Sequence, residues 1–364
     1  MEGGFKILMT ADTVGGVWTY AVDLCRALQS HQVHVHLATM GAPLSDDQKQ
    51  QVQQLPNVFV YESRYKLEWM QDPWEDIAAA KEWLKQIFMK VNPDLVHFNN
   101  FGQCDADWKC PVVTVFHSCV QTWFRAVKKS DAPSEWNGYT SIVKNALNSS
   151  DIIIAPSKSI AIEAAEIYQC GNFQVIYNGS DKVSNAPHKQ PYILAAGRIW
   201  DEAKNIALLT KIADKLSWPV YVAGDNVAPH TPDAADMAKV YFLGKLPADE
   251  LQHYMSDAAI FVSPTKYEPF GLAILEAANA GCALALADIP TLREIWGDSA
   301  VYFSPEDEAE ALLTLQYLID NPESRTELAH RSSARAKTYN TSEMANAYKE
   351  LYTKIVAQKL KPTI

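Results

Sequence analysis

The hydrophobic pattern of the chain predicts short buried strands that alternate with longer amphipathic helices. Each apolar run is about as long as a strand buried on both faces, and the segments between runs repeat with helical spacing. The strands predicted in the first half are 5–9, 33–39, 58–61, 94–98, 111–116, 152–155 and 173–177, and the helices are 17–28, 74–91, 136–148 and 157–169.

A polar, proline-containing stretch, residues 184–191, interrupts this alternation, which then restarts. Two such halves joined by a linker predict an α/β protein with two Rossmann-like, doubly wound domains facing each other across a cleft. We place the first domain at 1–183 and the second at 191–341. The second half has predicted strands at 192–196, 219–223, 240–243, 258–262 and 283–286, a helix at 205–216, and a helical pattern from residue 306 onward.

Length and composition agree with two folded domains. The chain has 364 residues, more than one hydrophobic core usually serves. Its contents of 48% hydrophobic and 21% charged residues are typical of a globular protein. A net charge of −11 without a Lys/Arg cluster argues against nucleic acid as a partner.

No apolar run reaches the length of a membrane-spanning helix, and the first residues lead straight into a strand rather than a signal peptide. The six cysteines are scattered without C-x-x-C spacing, which is typical of reduced thiols. We therefore expect a cytoplasmic protein without a strong membrane signal.

The segment Tyr267 to Glu276 carries the clearest chemical signal. It follows the buried strand at 258–262, and Phe270 to Ala280 is predicted to be a helix with Pro269 in its first turn. Glu268 would then lie on a loop at the carboxyl end of the strand. Glu276 would lie about two turns further on, near the same helical face.

This arrangement suits a phosphate between two groups that carry hydroxyls. The free amides of Gly271 and Leu272 and the helix dipole attract an anion, and the carboxylates of Glu268 and Glu276 can accept hydrogen bonds from sugars. A nucleotide sugar has this layout of hexose, diphosphate and ribose. The alternative is an ordinary amphipathic helix with a solvated glutamate.

A second candidate motif, Gly197 to Asn205, follows the first strand of the second half. Ligands of such sheets bind beyond the carboxyl ends of strands. Arg198 and Lys204 could clamp a diphosphate there and neutralise the charge on a leaving nucleoside diphosphate, in place of a metal ion. The alternative is a pair of surface cations.

In the first half, Gly15 and Gly16 follow the first strand, and His117 ends a later one. The glycines could bring bare backbone close to a ligand, although a tight turn explains them equally well, and the G-x-G-x-x-G spacing of dinucleotide sites is absent. His117 could bond a sugar hydroxyl or the acceptor if it faces the cleft, or it could be structural.

Two possible metal sites are set aside. Asp105 and Asp107 form a D-x-D sequence, a possible metal-binding motif, in a polar loop. No acidic partner lies nearby in the sequence, so we interpret them as solvated charges. His34 and His36 share one face of a strand but no third ligand follows at useful spacing, which favours half-buried structural histidines.

Taken together, these motifs resemble the retaining glycosyltransferases of family 4, which have the GT-B fold. Nearly the whole chain takes part in the resemblance. The matching features are the E-x7-E pair Glu268 and Glu276, Arg198 and Lys204 in G-R-x-x-x-x-K-N, the Gly15-Gly16 loop, His117, the segment Val175 to Gly179, and Tyr241 to Gly244.

The resemblance implies a role for each residue. Arg198 and Lys204 would hold the diphosphate, Glu276 the ribose, and Glu268 the donor sugar, with His117 nearby. The donor site would also include Gly15, Gly16, Asn178, Gly197, Phe270, Gly271 and Leu272. The last helix, about 342–364, would pack back on the first domain.

The resemblance also implies the chemistry. Attack on the front face lets the leaving phosphate help to deprotonate the acceptor, so neither a covalent nucleophile, a metal nor another cofactor is needed. We expect a sugar to pass from a UDP- or GDP-sugar to a hydroxyl of a saccharide or small molecule, because basic sites for a phosphoinositol lipid are not evident. The alternatives are a GT-B epimerase or phosphorylase, and a non-catalytic nucleotide-sugar-binding protein.

Overall fold

The computed structural model of the protein describes residues 4–182, 188–225 and 239–359, which form two compact units. Residues 4–125, 130–179 and 341–359 belong to the first unit, and 126–129, 180–182, 188–225 and 239–340 to the second. Half of the predicted linker, residues 184–187, lies outside the described residues.

The first unit is built on a sheet of seven parallel strands in the order β3-β2-β1-β4-β5-β6-β7. The central strand β1 is buried on both faces from Ile7 onward, because helices cover both sides of the sheet. The strands are β1 (Phe5–Asp12), β2 (Val33–Met40), β3 (Val58–Glu62), β4 (Leu95–Phe98), β5 (Val112–Val115), β6 (Ile152–Ala155) and β7 (Phe173–Val175).

Two helices of this unit were not predicted. The segment Asp46–Gln53 is almost entirely polar and buries only Val52, and a capping box between Ser45 and Gln48 stabilises its start. The segment Val120–Lys128 contains β-branched and aromatic residues of low helix propensity. The helices are α1 (Gly16–Leu28), α2 (Asp46–Gln53), α3 (Trp74–Val91), α4 (Val120–Lys128), α5 (Asn137–Ser149) and α6 (Lys158–Tyr168).

The second unit has a sheet of six parallel strands in the order β10-β9-β8-β11-β12-β13. Its last strand was not predicted because it has only three residues and lies at the edge of the sheet. The strands are β8 (Gln190–Ala196), β9 (Val220–Ala223), β10 (Val240–Gly244), β11 (Ala258–Ser263), β12 (Ala283–Ala287) and β13 (Val301–Phe303), and the helices are α7 (Ile206–Ile212), α8 (Ala248–Asp257), α9 (Leu272–Asn279), α10 (Pro290–Trp296), α11 (Glu308–Asp320) and α12 (Pro322–Ala336).

Helix α9 differs from the prediction at its start. It begins at Leu272 rather than at Phe270, so Pro269 is not in its first turn. Gly271 has a φ of 92°, in the left-handed region, which a helix of L-residues cannot include. Helix α7 is also shorter than the predicted 205–216, because Asn205 adopts a positive φ and the chain tightens into a 3-10 turn at Ala213–Lys215.

The chain returns to the first unit with α13 (Thr341–Lys359), which packs against α1. The Tyr20 hydroxyl donates to that of Tyr348 at 2.6 Å, and the Tyr352 hydroxyl lies 2.6 Å from Nδ1 of His97. Buried polar contacts of this kind fix the register of a helix on a core. Within the described part of the chain, no helix is long and apolar enough to cross a bilayer.

Candidate active site

The two motifs of the second half meet at the centre of the second sheet. Strands β8 and β11 are parallel neighbours, and the chain leaves β8 towards β9 but leaves β11 towards β12. Loops that depart in opposite directions open a crevice at the carboxyl ends of the strands, which is where ligands bind in doubly wound sheets. Arg198 and Lys204 follow β8, and Glu268 follows β11, so all three come to this switch point.

Lys204 and Glu268 are in direct contact. The Lys204 ammonium donates to Oε2 of Glu268 at 2.6 Å, and the two side chains are 22% and 16% exposed. Their loops are tied together, because the Thr265 hydroxyl and the Lys266 amide both donate to the carbonyl of Ala203. The structure therefore brings together two predicted site residues that are 64 positions apart in the sequence.

The loop after β8 depends on glycine. At Gly224, which has a φ of 155°, a Cβ would lie 1.8 Å from the carbonyl oxygen of Gly197, so two backbones pack where no side chain fits. A Cβ on Gly197 would be 3.2 Å from the Lys204 side chain. Gly197 thus lets the Lys204 stem lie directly against the backbone.

Arg198 lies at the same edge of the sheet but contacts its own loop. Its Nη2 donates to Oδ2 of Asp201 at 2.7 Å, and its guanidinium carbon is 5.4 Å from the centre of the Trp200 ring. Asp201 also accepts the amide of Ala203 and so caps the turn that leads to Lys204. The side chain of Arg198 remains 45% exposed.

The start of α9 presents backbone amides at this edge. Gly271 precedes the helix, and a Cβ there would lie 2.8 Å from Cδ1 of Ile274, so any other residue would clash as well as strain the backbone. Phe270 is buried edge-on against the ring of Tyr339 at 5.7 Å. The first-turn amides, beginning with Leu272, have no carbonyl partner within the helix and can bind an anion.

Glu276 lies on α9 and is only 6% exposed. Its Oε1 accepts from the Lys182 ammonium at 2.8 Å and its Oε2 from the Gln252 amide at 3.2 Å. The sequence analysis did not identify Lys182 or Gln252, because neither belongs to a motif. The Oε1 atom of Gln252 is buried without a hydrogen-bond partner in the described residues, so the surroundings of Glu276 contain an unused acceptor.

The predicted residues Gly15 and Gly16 of the first unit follow β1, at the switch point of its own sheet between β1 and β4, whereas Asn178 follows the edge strand β7. Gly15 has a φ of 84° and precedes α1, so this position favours glycine. Gly16 is exposed, and a Cβ there would meet nothing within 4 Å. Asn178 is buried after β7.

His117 follows β5 and is partly exposed. Its Nε2 lies 2.8 Å from Oδ1 of Asn99, and its ring packs edge-on against Tyr20 at 4.6 Å. Desolvation and, less strongly, the nearby His97 together lower the pKa of His117 to about 3. The imidazole is therefore neutral at physiological pH and acts through hydrogen bonds rather than through charge.

The residues that were set aside have local partners. Asp105 pairs with Lys81 at 2.5 Å, and Asp107, whose side chain is 80% exposed, pairs with Lys109. His36 stacks on Phe59 and lies 3.2 Å from the hydroxyl of Tyr61. Over 4–182, 188–225 and 239–359, no three His, Cys, Asp or Glu side chains are grouped as metal ligands would be.

The chain matches two family models, one after the other. Residues 14–182 match Glycosyltransferase Family 4, and residues 178–337 match Glycosyl transferases group 1. One relative is an O-antigen chain mannosyltransferase B of Escherichia coli, 36% identical over 118 residues, which are 31% of this chain and 30% of that protein. The chain thus spans about a third of the length of the curated relatives that it matches.

Solved structures resemble the whole fold. A sucrose-phosphate synthase of Thermosynechococcus elongatus superposes with a TM-score of 0.82 at 18% identity, covering 97% of this chain and 100% of that one. Anabaena Alr3699/HepE, solved in complex with UDP and glucose, superposes with a TM-score of 0.72 at 15% identity over 96% and 100% of the two chains. With the family matches running from residue 14 to residue 337, the chain belongs to the family 4 glycosyltransferases and has the GT-B fold.

Proposed function

We propose that this glycosyltransferase is metal-independent and retaining, and that it transfers a sugar from a UDP- or GDP-sugar to a hydroxyl of a saccharide or small molecule. The observation that carries the proposal is the Lys204–Glu268 pair beside the amides at the start of α9. An ammonium, a carboxylate and free amides at one switch point match a diphosphate that is joined to a sugar.

The contacts among these side chains can be exchanged for contacts with a donor. Lys204 has three N–H donors, so it can bind a phosphate oxygen while it still orients Glu268. Glu268 then accepts hydrogen bonds from the donor sugar. Arg198 has five N–H donors, and among the described residues its side chain donates a hydrogen bond only to Asp201, through Nη2, which leaves donors for a second phosphate oxygen.

Glu276 would accept hydrogen bonds from the ribose hydroxyls. In the free protein the Lys182 ammonium and the Gln252 amide occupy its oxygens. A carboxylate oxygen has room for two hydrogen bonds, so ribose can join the Gln252 contact and replace or share the Lys182 contact.

Transfer needs the anomeric carbon to lose the diphosphate and gain the acceptor oxygen. In the proposed front-face reaction the bond to the phosphate oxygen breaks, the acceptor oxygen bonds to the same face, and the acceptor proton moves to the leaving phosphate. Lys204, Arg198 and the α9 amides stabilise the charge that develops on that phosphate, which is the role that a metal ion has in other transferases.

The comparisons support the donor class. The relative from Escherichia coli is named as a mannosyltransferase, and Alr3699/HepE was solved with UDP and glucose. Both names point to nucleotide-activated hexoses. The net charge of −11 argues against a nucleic acid as the substrate.

The test has two stages. Thermal-shift screening against UDP-, GDP- and ADP-sugars identifies the donor, because a ligand of the native state raises the melting temperature. Transfer to candidate saccharides is then measured with and without a chelator, and the anomeric configuration of the product is read by NMR. Inversion, or activity abolished by the chelator and restored by a divalent metal, would overturn the proposed mechanism.

The same assay separates the alternatives. Conversion of a nucleotide sugar without any acceptor would indicate an epimerase, and sugar release that requires inorganic phosphate would indicate a phosphorylase. Donor binding without transfer or donor hydrolysis would indicate a binding protein. Lys211→Ala is the matched control for Lys204→Ala, since Lys211 forms an exposed ion pair with Glu308 on the same unit.

A further inference from the structure

Asn99 connects two histidines in the first unit through one amide oxygen. Its Oδ1 lies 2.8 Å from Nε2 of His117 and 3.3 Å from Nε2 of His97. The other end of the amide, Nδ2, lies 2.8 Å from the carbonyl oxygen of Thr10. Because a carbonyl oxygen only accepts hydrogen bonds, the group facing Thr10 must be the NH₂, and the orientation of Asn99 is fixed by chemistry.

This orientation determines where the protons of both imidazoles lie. The Oδ1 of Asn99 can only accept, so Nε2 of His117 and Nε2 of His97 must both donate. In a neutral imidazole the second nitrogen then carries a lone pair. His97 uses that lone pair at once, because its Nδ1 lies 2.6 Å from the Tyr352 hydroxyl, which donates to it.

His97 is held neutral in this arrangement. It has no exposed surface, and desolvation lowers its pKa to about 3, although the hydrogen bond with Asn99 opposes the shift. Tyr352 comes from α13 and is fully buried as well. The C-terminal helix therefore supplies the hydroxyl that complements this tautomer of His97.

The second nitrogen of His117 remains available. In the part of the chain that the structure describes, no hydrogen bond ends on its Nδ1, and the residue is partly exposed. Two titratable groups act on or contact the ring: His97 on β4, and Tyr20 on α1, whose hydroxyl is already engaged with Tyr348. No carboxylate among them would favour a second proton on the ring.

We propose that Asn99, supported by His97 and Tyr352, is a positioning residue that holds His117 as the Nε2–H tautomer, so that its Nδ1 accepts a hydrogen bond from a hydroxyl of a bound sugar. The inference rests on the proposed function. It also adds a selectivity rule, because a neutral acceptor nitrogen binds O–H donors but has no proton to offer a phosphate or carboxylate.

The tautomer is measured directly on the wild-type enzyme. NMR of protein labelled with ¹⁵N-histidine, with His117→Gln used to assign the signal, reports which ring nitrogen carries the proton. We expect a protonated Nε2 and an unprotonated Nδ1 from about pH 5 to about pH 8, with the Nδ1 signal moving when the donor sugar found by thermal shift is added but not with its nucleoside diphosphate alone. An Nδ1–H tautomer, or a charged ring at pH 7, would overturn the proposal.

This measurement does not depend on catalysis. A protein without transferase activity but with the expected tautomer would contradict the proposed function and leave the positioning role standing. An active enzyme with the opposite tautomer would contradict the positioning role and leave the proposed function standing.

Two variants test the role in the reaction. In Asn99→Asp a carboxylate next to Nε2 should raise the pKa of His117, so kcat/KM should acquire an acid limb below about pH 6 that the wild type lacks. In Tyr352→Phe the Nδ1 of His97 loses its hydrogen-bond donor and the His97 ring holds Asn99 less firmly, so kcat should fall about threefold to tenfold with little change in KM for the donor.

The control is Tyr192→Phe, which removes a tyrosine hydroxyl that donates to the carbonyl of Tyr254 in the second unit. It should lose similar stability and keep kcat. A wild-type-like pH profile for Asn99→Asp, or equal kcat losses in Tyr352→Phe and Tyr192→Phe, would overturn the proposal. Either result would show that the hydrogen bonds around Asn99 serve stability only.

Discussion

The Lys182 ammonium lies 2.8 Å from Oε1 of Glu276, so a residue outside every recognised motif neutralises a buried acid of the site. The Lys182 side chain is 35% exposed, whereas that of Glu276 is 8% exposed. An ion pair with one buried member is asymmetric, because removing the partner leaves a charge that water cannot easily reach.

Lys182→Met should therefore destabilise the free protein more than an ordinary surface change does. We expect the free energy of unfolding to fall by about 1 to 3 kcal/mol, measured by chemical denaturation. The loss should shrink at saturating nucleoside diphosphate, because ribose hydroxyls would then satisfy Glu276. Lys211→Met, which removes the exposed pair with Glu308, is the control and should cost less than about 1 kcal/mol. A deficit that is unchanged by nucleotide would contradict ribose binding at Glu276.

Loss of Lys204 or Glu268 should act on catalysis. Lys204→Ala removes an ammonium from the developing charge on the diphosphate, and kcat should fall by about a hundredfold or more. Glu268→Gln keeps the size of the side chain but removes the charge that orients Lys204. The kcat of this variant should fall by a similar factor. Steady-state transfer assays measure both. Variants with normal melting temperatures and full kcat would refute the site.

The sequence was sufficient for every described parallel strand except β13 and for the position of the Lys204–Glu268 pair. A strand such as β11 is buried on both faces, so its apolar run is continuous and easy to recognise. Residues that follow the carboxyl ends of neighbouring strands must lie at one edge of the sheet, which is why Lys204 and Glu268 could be predicted to converge.

Other features depend on contacts that no local pattern encodes. Lys182 and Gln252 contact Glu276 although they are 94 and 24 positions away in the sequence. A polar residue on a loop or on a helix face has no periodic pattern that would predict such a contact. The start of α9 was misplaced because composition favoured a helix from Phe270, whereas the positive φ of Gly271 delays it. Helix propensity is a weak predictor wherever tertiary packing fixes a glycine.

Gly271→Ala should damage both stability and donor binding. A Cβ at a φ of 92° is strained and would lie 2.8 Å from Ile274, so we expect a loss of about 1 to 3 kcal/mol in unfolding free energy. A shifted backbone also misdirects the amides that bind phosphate, and affinity for the nucleoside diphosphate should fall, as calorimetry would measure. Gly16→Ala meets open space and should leave stability almost unchanged. Equal stability of the two variants would contradict the strain argument.

The buried histidine of the first unit should make the protein sensitive to acid. His97 has a folded-state pKa of about 3, below the value of about 6.5 in an unfolded chain. Between these values the unfolded state binds a proton that the folded state does not, so stability falls as the pH falls below about 6.5, by about 1.4 kcal/mol per pH unit for this group.

Denaturant unfolding measured from pH 7 down to about pH 4 should show this loss. The slope of the unfolding free energy against pH should be smaller in His97→Gln, by the amount that corresponds to about one proton taken up on unfolding. The amide of glutamine can still donate to Asn99 and accept from Tyr352, so the variant should fold. His330→Gln, a change on the exposed surface of α12, is the control for replacing a histidine. If the His97→Gln and wild-type slopes were parallel, protonation of His97 could not be the cause of acid sensitivity, and the neutral His97 on which the orientation of His117 depends would lose its thermodynamic support.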